Sequence, residues 1–96
     1  MIMTRKMNMQ AAISAPIPLD ALPRLTGATV ATIAWDRLAP PEARRLRELG
    51  FDEGARIEVL HRARLGGGPI ALRIGRMTVA IRRHVAGAIR VAPIAG

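Results

Sequence analysis

The sequence predicts a mainly β domain, a small barrel of about five strands with one short α-helix. Apolar residues alternate with basic or small ones through the second half of the chain, and glycines separate the alternating runs. A short arginine-rich segment with helical spacing ends at Gly50. A chain of 96 residues has room for one domain. Closing its sheet into a barrel leaves no unpaired strand edges, so a barrel is favoured over an open sheet.

The helix is expected between Pro40 and Gly50. Proline is tolerated in the first turn, and Glu42 suits the positive end of a helix. No Ser, Thr, Asp or Asn directly precedes the prolines, so side-chain capping of this end is expected to be missing. Gly50 is expected to end the helix in a left-handed conformation. The helix has an apolar stripe formed by Ala43, Leu46 and Leu49, and this stripe must dock on the sheet.

Alternation defines the strands and the face that each one buries. The run 28–35 is ambiguous, because Val30 lies on one face and Ile33 with Trp35 on the other. Beyond Gly54 the pattern is regular, and it points one aliphatic set into a single interior. That set is Ile57, Val59, Ile70, Leu72, Ile74, Met77, Val79 and Ile81, followed by Ile89 and Val91 in the last strand.

Turns between these strands follow from glycine positions. Gly75 and Arg76 predict a two-residue hairpin turn with glycine first. Residues 84–87 are expected to form a short turn before the last strand. Alternation places His61 on the same face as Ile57 and Val59.

The first 22 residues contain Pro16 and Pro18 and show no sustained period. They predict a flexible arm over 1–22, followed by a folded domain over 23–96.

The chain has no cysteine, which excludes disulfides and thiolate metal sites. It also contains no apolar run long enough to span a bilayer and no convincing signal peptide, so a cytoplasmic location is expected.

The net charge of +8 has two interpretations: arginine simply fills exposed strand positions, or the chain binds an acidic partner. Eight arginines but one acid, Glu58, lie between Gly54 and Gly96. The resulting positive electrostatic field would attract an acidic protein surface, an anionic membrane leaflet or nucleic acid. Barrels that bind single strands stack bases on aromatic rings, and Trp35 and Phe51 are the only aromatic residues here. Nucleic-acid binding is therefore the alternative hypothesis.

Catalysis and metal binding have little support. Ser14 is the only serine and lies in the arm, and the acids are scattered, so neither a serine triad nor a carboxylate pair is indicated. His61 and His84 match no metal spacing, although a weaker hypothesis assigns them to metal sensing. The glycine run 66–68 is not followed by the lysine and the helix that define a phosphate-binding loop. We expect no enzyme activity, no cofactor and no catalytic or metal-binding residue.

An ordered set of motifs resembles the FeoA family, small cytosolic accessory proteins of bacterial ferrous iron uptake. The motifs are Arg45-Leu46-Arg47-Glu48-Leu49-Gly50-Phe51, Gly54, Leu65-Gly66-Gly67-Gly68-Pro69-Ile70 and Val79-Ala80-Ile81-Arg82-Arg83. The resemblance covers about Leu22 to Pro93. It implies an SH3-like barrel and a regulatory, non-enzymatic role.

The resemblance also implies a partner, the cytosolic GTP-binding part of the FeoB-type membrane transporter. The protein would then reach the inner membrane only through that partner. Gly68 stands where the family usually has an acid, and Arg64 where it often has a proline, which makes the loop more flexible and basic. The candidate partner contacts are Arg64, Leu65, Gly66, Gly67, Pro69, Arg82 and Arg83.

Overall fold

The computed structural model describes residues 15–62 and 68–94. Its elements in chain order are β1 (Ile17–Pro18), β2 (Gly27–Ile33), α1 (Pro40–Leu49), β3 (Arg56–Arg62), β4 (Ile70–Ile74), β5 (Met77–Ile81), α2 (Arg83–Ala86) and β6 (Ile89–Pro93). One antiparallel sheet has the strand order β1-β6-β2-β3-β4-β5. The predicted mainly β domain with one main helix is confirmed.

The sheet wraps around one aliphatic core. Six predicted inward residues of β3, β4 and β5 are buried, namely Ile57, Val59, Ile70, Leu72, Ile74 and Ile81. Ile89 and Val91 of β6 are also fully buried. Met77 differs from the prediction because 45% of it is exposed, and Val79 is half-buried. Both belong to β5, which has a neighbouring strand on one side only, so less of the molecule covers its side chains.

A bulge in β2 resolves the ambiguous face of that strand. Val30 pairs with Val91 and Thr32 with Arg90, so one extra residue is inserted between them. The insertion reverses the alternation, and both Val30 and Ile33 are therefore buried.

A second bulge explains why His61 is exposed instead of lying on the face of Ile57. Val59 pairs with Leu72, whereas His61 pairs with Ala71 on the outer face of β4. The extra residue again shifts the alternation by one.

Residues 17–22, assigned to a flexible arm from the sequence, are part of the folded domain. Ile17 and Pro18 pair with β6, and the side chains of Leu19 and Leu22 are fully buried. The Arg62 guanidinium donates a hydrogen bond to the Leu22 carbonyl oxygen. This segment forms a two-residue edge strand that includes Pro18, followed by a 3₁₀ turn, which periodicity alone does not reveal. Residues 1–14 lie outside the described part.

Both ends of α1 are capped. Gly50 adopts φ 95°, the predicted left-handed C-cap. At the other end the Ala39 N–H donates to Glu42 Oε1 over 3.0 Å. The N-cap residue Ala39 makes no side-chain capping bond, as expected, but the acid at the third helical position reaches back to its backbone N–H. The hairpin turn at Gly75 is confirmed, with φ 60° and Ile74 paired with Met77. The predicted turn at 84–87 is largely the one-turn helix α2.

Candidate interaction surface

Three of the predicted contact residues meet at one concave surface. Pro69, Arg82 and Arg83 line a depression, which we call the basic depression, together with Asp20, Arg37, Ala80, His84 and Gly87. The other four predicted residues, Arg64, Leu65, Gly66 and Gly67, lie outside the described part of the chain.

Chain geometry explains this convergence. Arg82 directly follows β5 in an extended conformation, φ −63° and ψ 146°, and its successor Arg83 opens α2. Arg37 comes from the 3₁₀ turn before α1, and Asp20 from the one after β1. Elements far apart in sequence therefore place three guanidinium groups around one hollow, with Asp20 as the acid in its lining.

The arginines of the basic depression have no carboxylate partner among the described residues. The ion pairs within 15–62 and 68–94 are Arg73 with Glu58 and His84 with Glu42. Arg83 Nε is buried and finds no hydrogen-bond acceptor in the same part of the chain. A guanidinium that is partly removed from water and left with an unpaired donor favours an anionic acceptor.

A groove between α1 and β5 adjoins the basic depression. Its volume is about 450 Å³, and Ala80 and Arg82 line both features. Leu46 and Leu49 form the helical wall, facing Ile81. The groove thus combines an aliphatic floor with charged groups.

His84 links the basic depression to the start of α1. Its Nε2 lies 2.6 Å from Glu42 Oε2. The pKa of Glu42 is held below its ordinary value, first by the hydrogen bond from the Ala39 N–H and then by His84. Glu42 is therefore a structural carboxylate that fixes the helix end.

The described residues contain no cluster of three or more His, Cys, Asp or Glu side chains able to hold a metal ion. No helix in the same part of the chain is long and apolar enough to cross a membrane.

The basic depression and the groove together place guanidinium groups beside an apolar surface, which suits recognition of an acidic partner. Sequence reasoning missed Arg37 and the groove, since a lone arginine before a helix carries no signal of what it will face.

The fold is that of a small SH3-like barrel, and this surface is its candidate contact region. The FeoA domain model matches residues 17–93, and the chain belongs to the FeoA family, which is associated with ferrous iron transport.

Solved structures support the family and the fold. FeoA from Chlorobium tepidum is 35% identical with a TM-score of 0.73, and the alignment covers 83% of this chain and 72% of that one. Stenotrophomonas maltophilia FeoA, solved with zinc and described as an SH3 domain protein, is 32% identical with a TM-score of 0.67. That alignment covers 78% of this chain and 88% of the other.

A similar domain occurs within a longer regulator. A manganese-dependent transcriptional repressor is 27% identical with a TM-score of 0.73, covering 84% of this chain and 43% of the repressor. No curated protein matches the chain.

Proposed function

We propose that this protein is a non-enzymatic accessory factor of ferrous iron uptake that binds the cytosolic, GTP-binding part of a FeoB-type transporter. Membership of the FeoA family supports the role in iron transport. The protein acts in the cytoplasm and reaches the inner membrane through this partner. The observation that carries the proposed contact is the convergence of Arg37, Arg82 and Arg83 around one hollow without carboxylate partners in the described chain.

Electrostatics gives the mode of binding. The excess of 15 basic over 7 acidic residues attracts an acidic surface over about 8 Å, the Debye length at physiological salt. Pro69 lines the hollow and directly follows the glycines of the predicted contact loop. Contacts at the rim of an interface accelerate association and weaken in salt.

The alternative, a barrel that binds nucleic acid, has less support. The Phe51 side chain is fully buried. Trp35 is half-buried, and the Arg47 guanidinium lies 4.3 Å from its ring centroid. Since these are the only aromatic residues of the chain, neither offers an open ring for base stacking.

Calorimetric titration of the full chain with the isolated cytosolic domain of the transporter tests the proposal. We expect binding at low salt that weakens as salt rises. Combining Arg37→Glu with Arg82→Glu, both at exposed positions, should reduce affinity by at least about tenfold. The control combines Arg56→Glu with Arg90→Glu, which makes the same charge change on exposed strand positions outside the depression.

Two results would count against the proposal. The first is no binding by the folded wild-type chain at low salt. The second is an equal loss of affinity in both charge-reversed proteins, which would show a general charge effect instead of a defined contact. Tight binding of single-stranded or duplex oligonucleotides at physiological salt would favour the alternative.

A further inference from the structure

The outer edge of β5 is an unpaired strand edge. β5 stands at the end of the strand order and pairs with β4 alone. The two-residue turn makes Ile74 and Met77 a hydrogen-bonded pair, and such pairs alternate along an antiparallel ladder. The backbone N–H and C=O groups of Thr78 and Ala80 therefore point away from β4. No backbone hydrogen bond among the described residues reaches them from outside the sheet.

The strand β5 itself lacks the sequence features that usually protect an edge. Residues 77–81 contain no charge, no proline and no glycine, and Thr78 and Ala80 are exposed. Proteins commonly block such edges with lysine, proline, a bulge or a covering element. The opposite edge, β1, follows that rule, being two residues long and including Pro18. β5 is therefore suited to accept another strand.

The groove supplies space and a second wall beside this edge. An added strand lies about 4.8 Å from its neighbour, on the side where the groove separates β5 from α1. The groove is lined by Ala80 and Ile81 of β5 and by Leu46 and Leu49 of α1, with a volume of about 450 Å³. Alternate side chains of an added strand would thus meet an aliphatic floor.

Charge selects the occupant. Arg76 precedes β5 and Arg82 follows it. If two copies paired antiparallel along the whole of β5, centred on Val79, Arg76 of each would lie opposite Arg82 of the other, and like charges in that position are destabilising. Arg45 adds a third positive charge to the groove wall, and the acid there, Glu42, is held by His84 and the Ala39 N–H. The edge favours an acidic strand over a second copy.

We infer that β5 accepts an extended segment of a partner protein as an additional antiparallel strand, apolar at its centre and acidic at both ends. Main-chain hydrogen bonds to Thr78 and Ala80 give the affinity, and the flanking arginines set the charge preference. This goes beyond the proposed function, since it holds whichever protein supplies the strand. Failure of the transporter titration and failure of this inference are separate results.

A peptide titration of the isotope-labelled full chain tests the inference by NMR. The probe is a seven-residue peptide of alternating valine and threonine with glutamate at each end. The control peptide carries lysine at both ends. We expect shifts concentrated at the Thr78 and Ala80 amides, and affinity at least about tenfold weaker for the lysine peptide. Shifts that leave these amides unchanged, equal binding of both peptides, or a dimer of the free chain through β5 would overturn the inference.

A proline variant tests the main-chain contact. Thr78→Pro removes an outward N–H and leaves the β4 ladder intact, since proline is tolerated on an edge strand where its nitrogen faces solvent. Thr78→Ala is the matched control because it retains the N–H. We expect the proline variant not to bind the glutamate peptide and the alanine variant to bind it as the wild type does. Unchanged binding by a folded Thr78→Pro protein would contradict the inference.

Charge reversal gives a readout that does not depend on how the proline variant folds. Arg82→Glu changes an exposed residue at one end of β5. We expect it to reduce the preference for the glutamate peptide over the lysine peptide by about tenfold. An unchanged preference would mean that the flanking arginines do not select the strand.

Discussion

His84 Nε2 lies 2.6 Å from Glu42 Oε2 and joins the short helix α2 to the first turn of α1. The same carboxylate accepts the Ala39 N–H through its other oxygen. One acid therefore caps the main helix and ties it to the segment that carries Arg82 and Arg83, so the shape of the basic depression depends on this contact.

Replacing Glu42 by glutamine should lower the melting temperature at neutral pH. The folded-state pKa of Glu42 lies below its unfolded value, so its stabilisation is complete above the unfolded pKa and is lost as pH falls through the folded one. The difference between wild type and Glu42→Gln should therefore shrink in acid. Thermal unfolding followed from neutral to strongly acidic pH measures this. Glu48→Gln, at an exposed position of the same helix, is the control, and an equal effect in both variants would contradict the assignment.

Truncation of Leu22 tests whether the segment before residue 23 belongs to the domain. This side chain is fully buried, so Leu22→Ala should lower the free energy of unfolding by about 2–5 kcal/mol. Leu25→Ala is the control because Leu25 is 61% exposed, and little change is expected there. Chemical denaturation measures both. A Leu22→Ala protein as stable as wild type would place this segment outside the cooperative fold.

Leu25 offers a stabilising substitution. Its φ is 61°, in the left-handed region that disfavours residues with a Cβ. Leu25→Gly should relieve this cost and raise the free energy of unfolding by about 0.5–1 kcal/mol after the greater entropy of unfolded glycine is subtracted. Leu25→Ala retains the Cβ and should show no such gain. Equal stabilities of the glycine and alanine variants would argue against strain at this position.

Two glycines give a matched test of helix termination. Gly50→Ala should cost about 1 kcal/mol, because φ is 95° there. A Cβ at Gly50 would meet Ile74 Cδ1 at 4.0 Å, so no clash contributes to that cost. Gly87 has φ −65°, and Gly87→Ala should change stability by less than about 0.5 kcal/mol. Urea unfolding of the two variants compares them, and equal losses would show that backbone conformation is not the cause.

Local patterns predicted those elements that depend on neighbours in sequence. The Gly75 turn, the α1 stop at Gly50 and the inward set of β3 and β4 follow from alternation and glycine placement. The predicted closure of the sheet is incomplete, since β1 and β5 are the two ends of the strand order. Periodicity shows which face of β5 is apolar, but it does not show which elements will cover its edge.

The candidate surface was predictable only in part. Pro69, Arg82 and Arg83 were proposed as partner contacts through motif resemblance, and the structure places all three at one hollow. Arg37 and the groove beside Leu46 were not found, because no short-range pattern records which distant residues face each other.

By itself, the sequence determined a basic, aliphatic, mainly β domain with one capped helix, because strand alternation and glycine conformation are local properties. The tertiary structure decided the two bulges, the docking of β1 on β6 and the link between Glu42 and His84, 42 residues apart. Each of these depends on which distant backbone or side chain satisfies a hydrogen bond or fills the core. That choice is made only when the whole chain packs together.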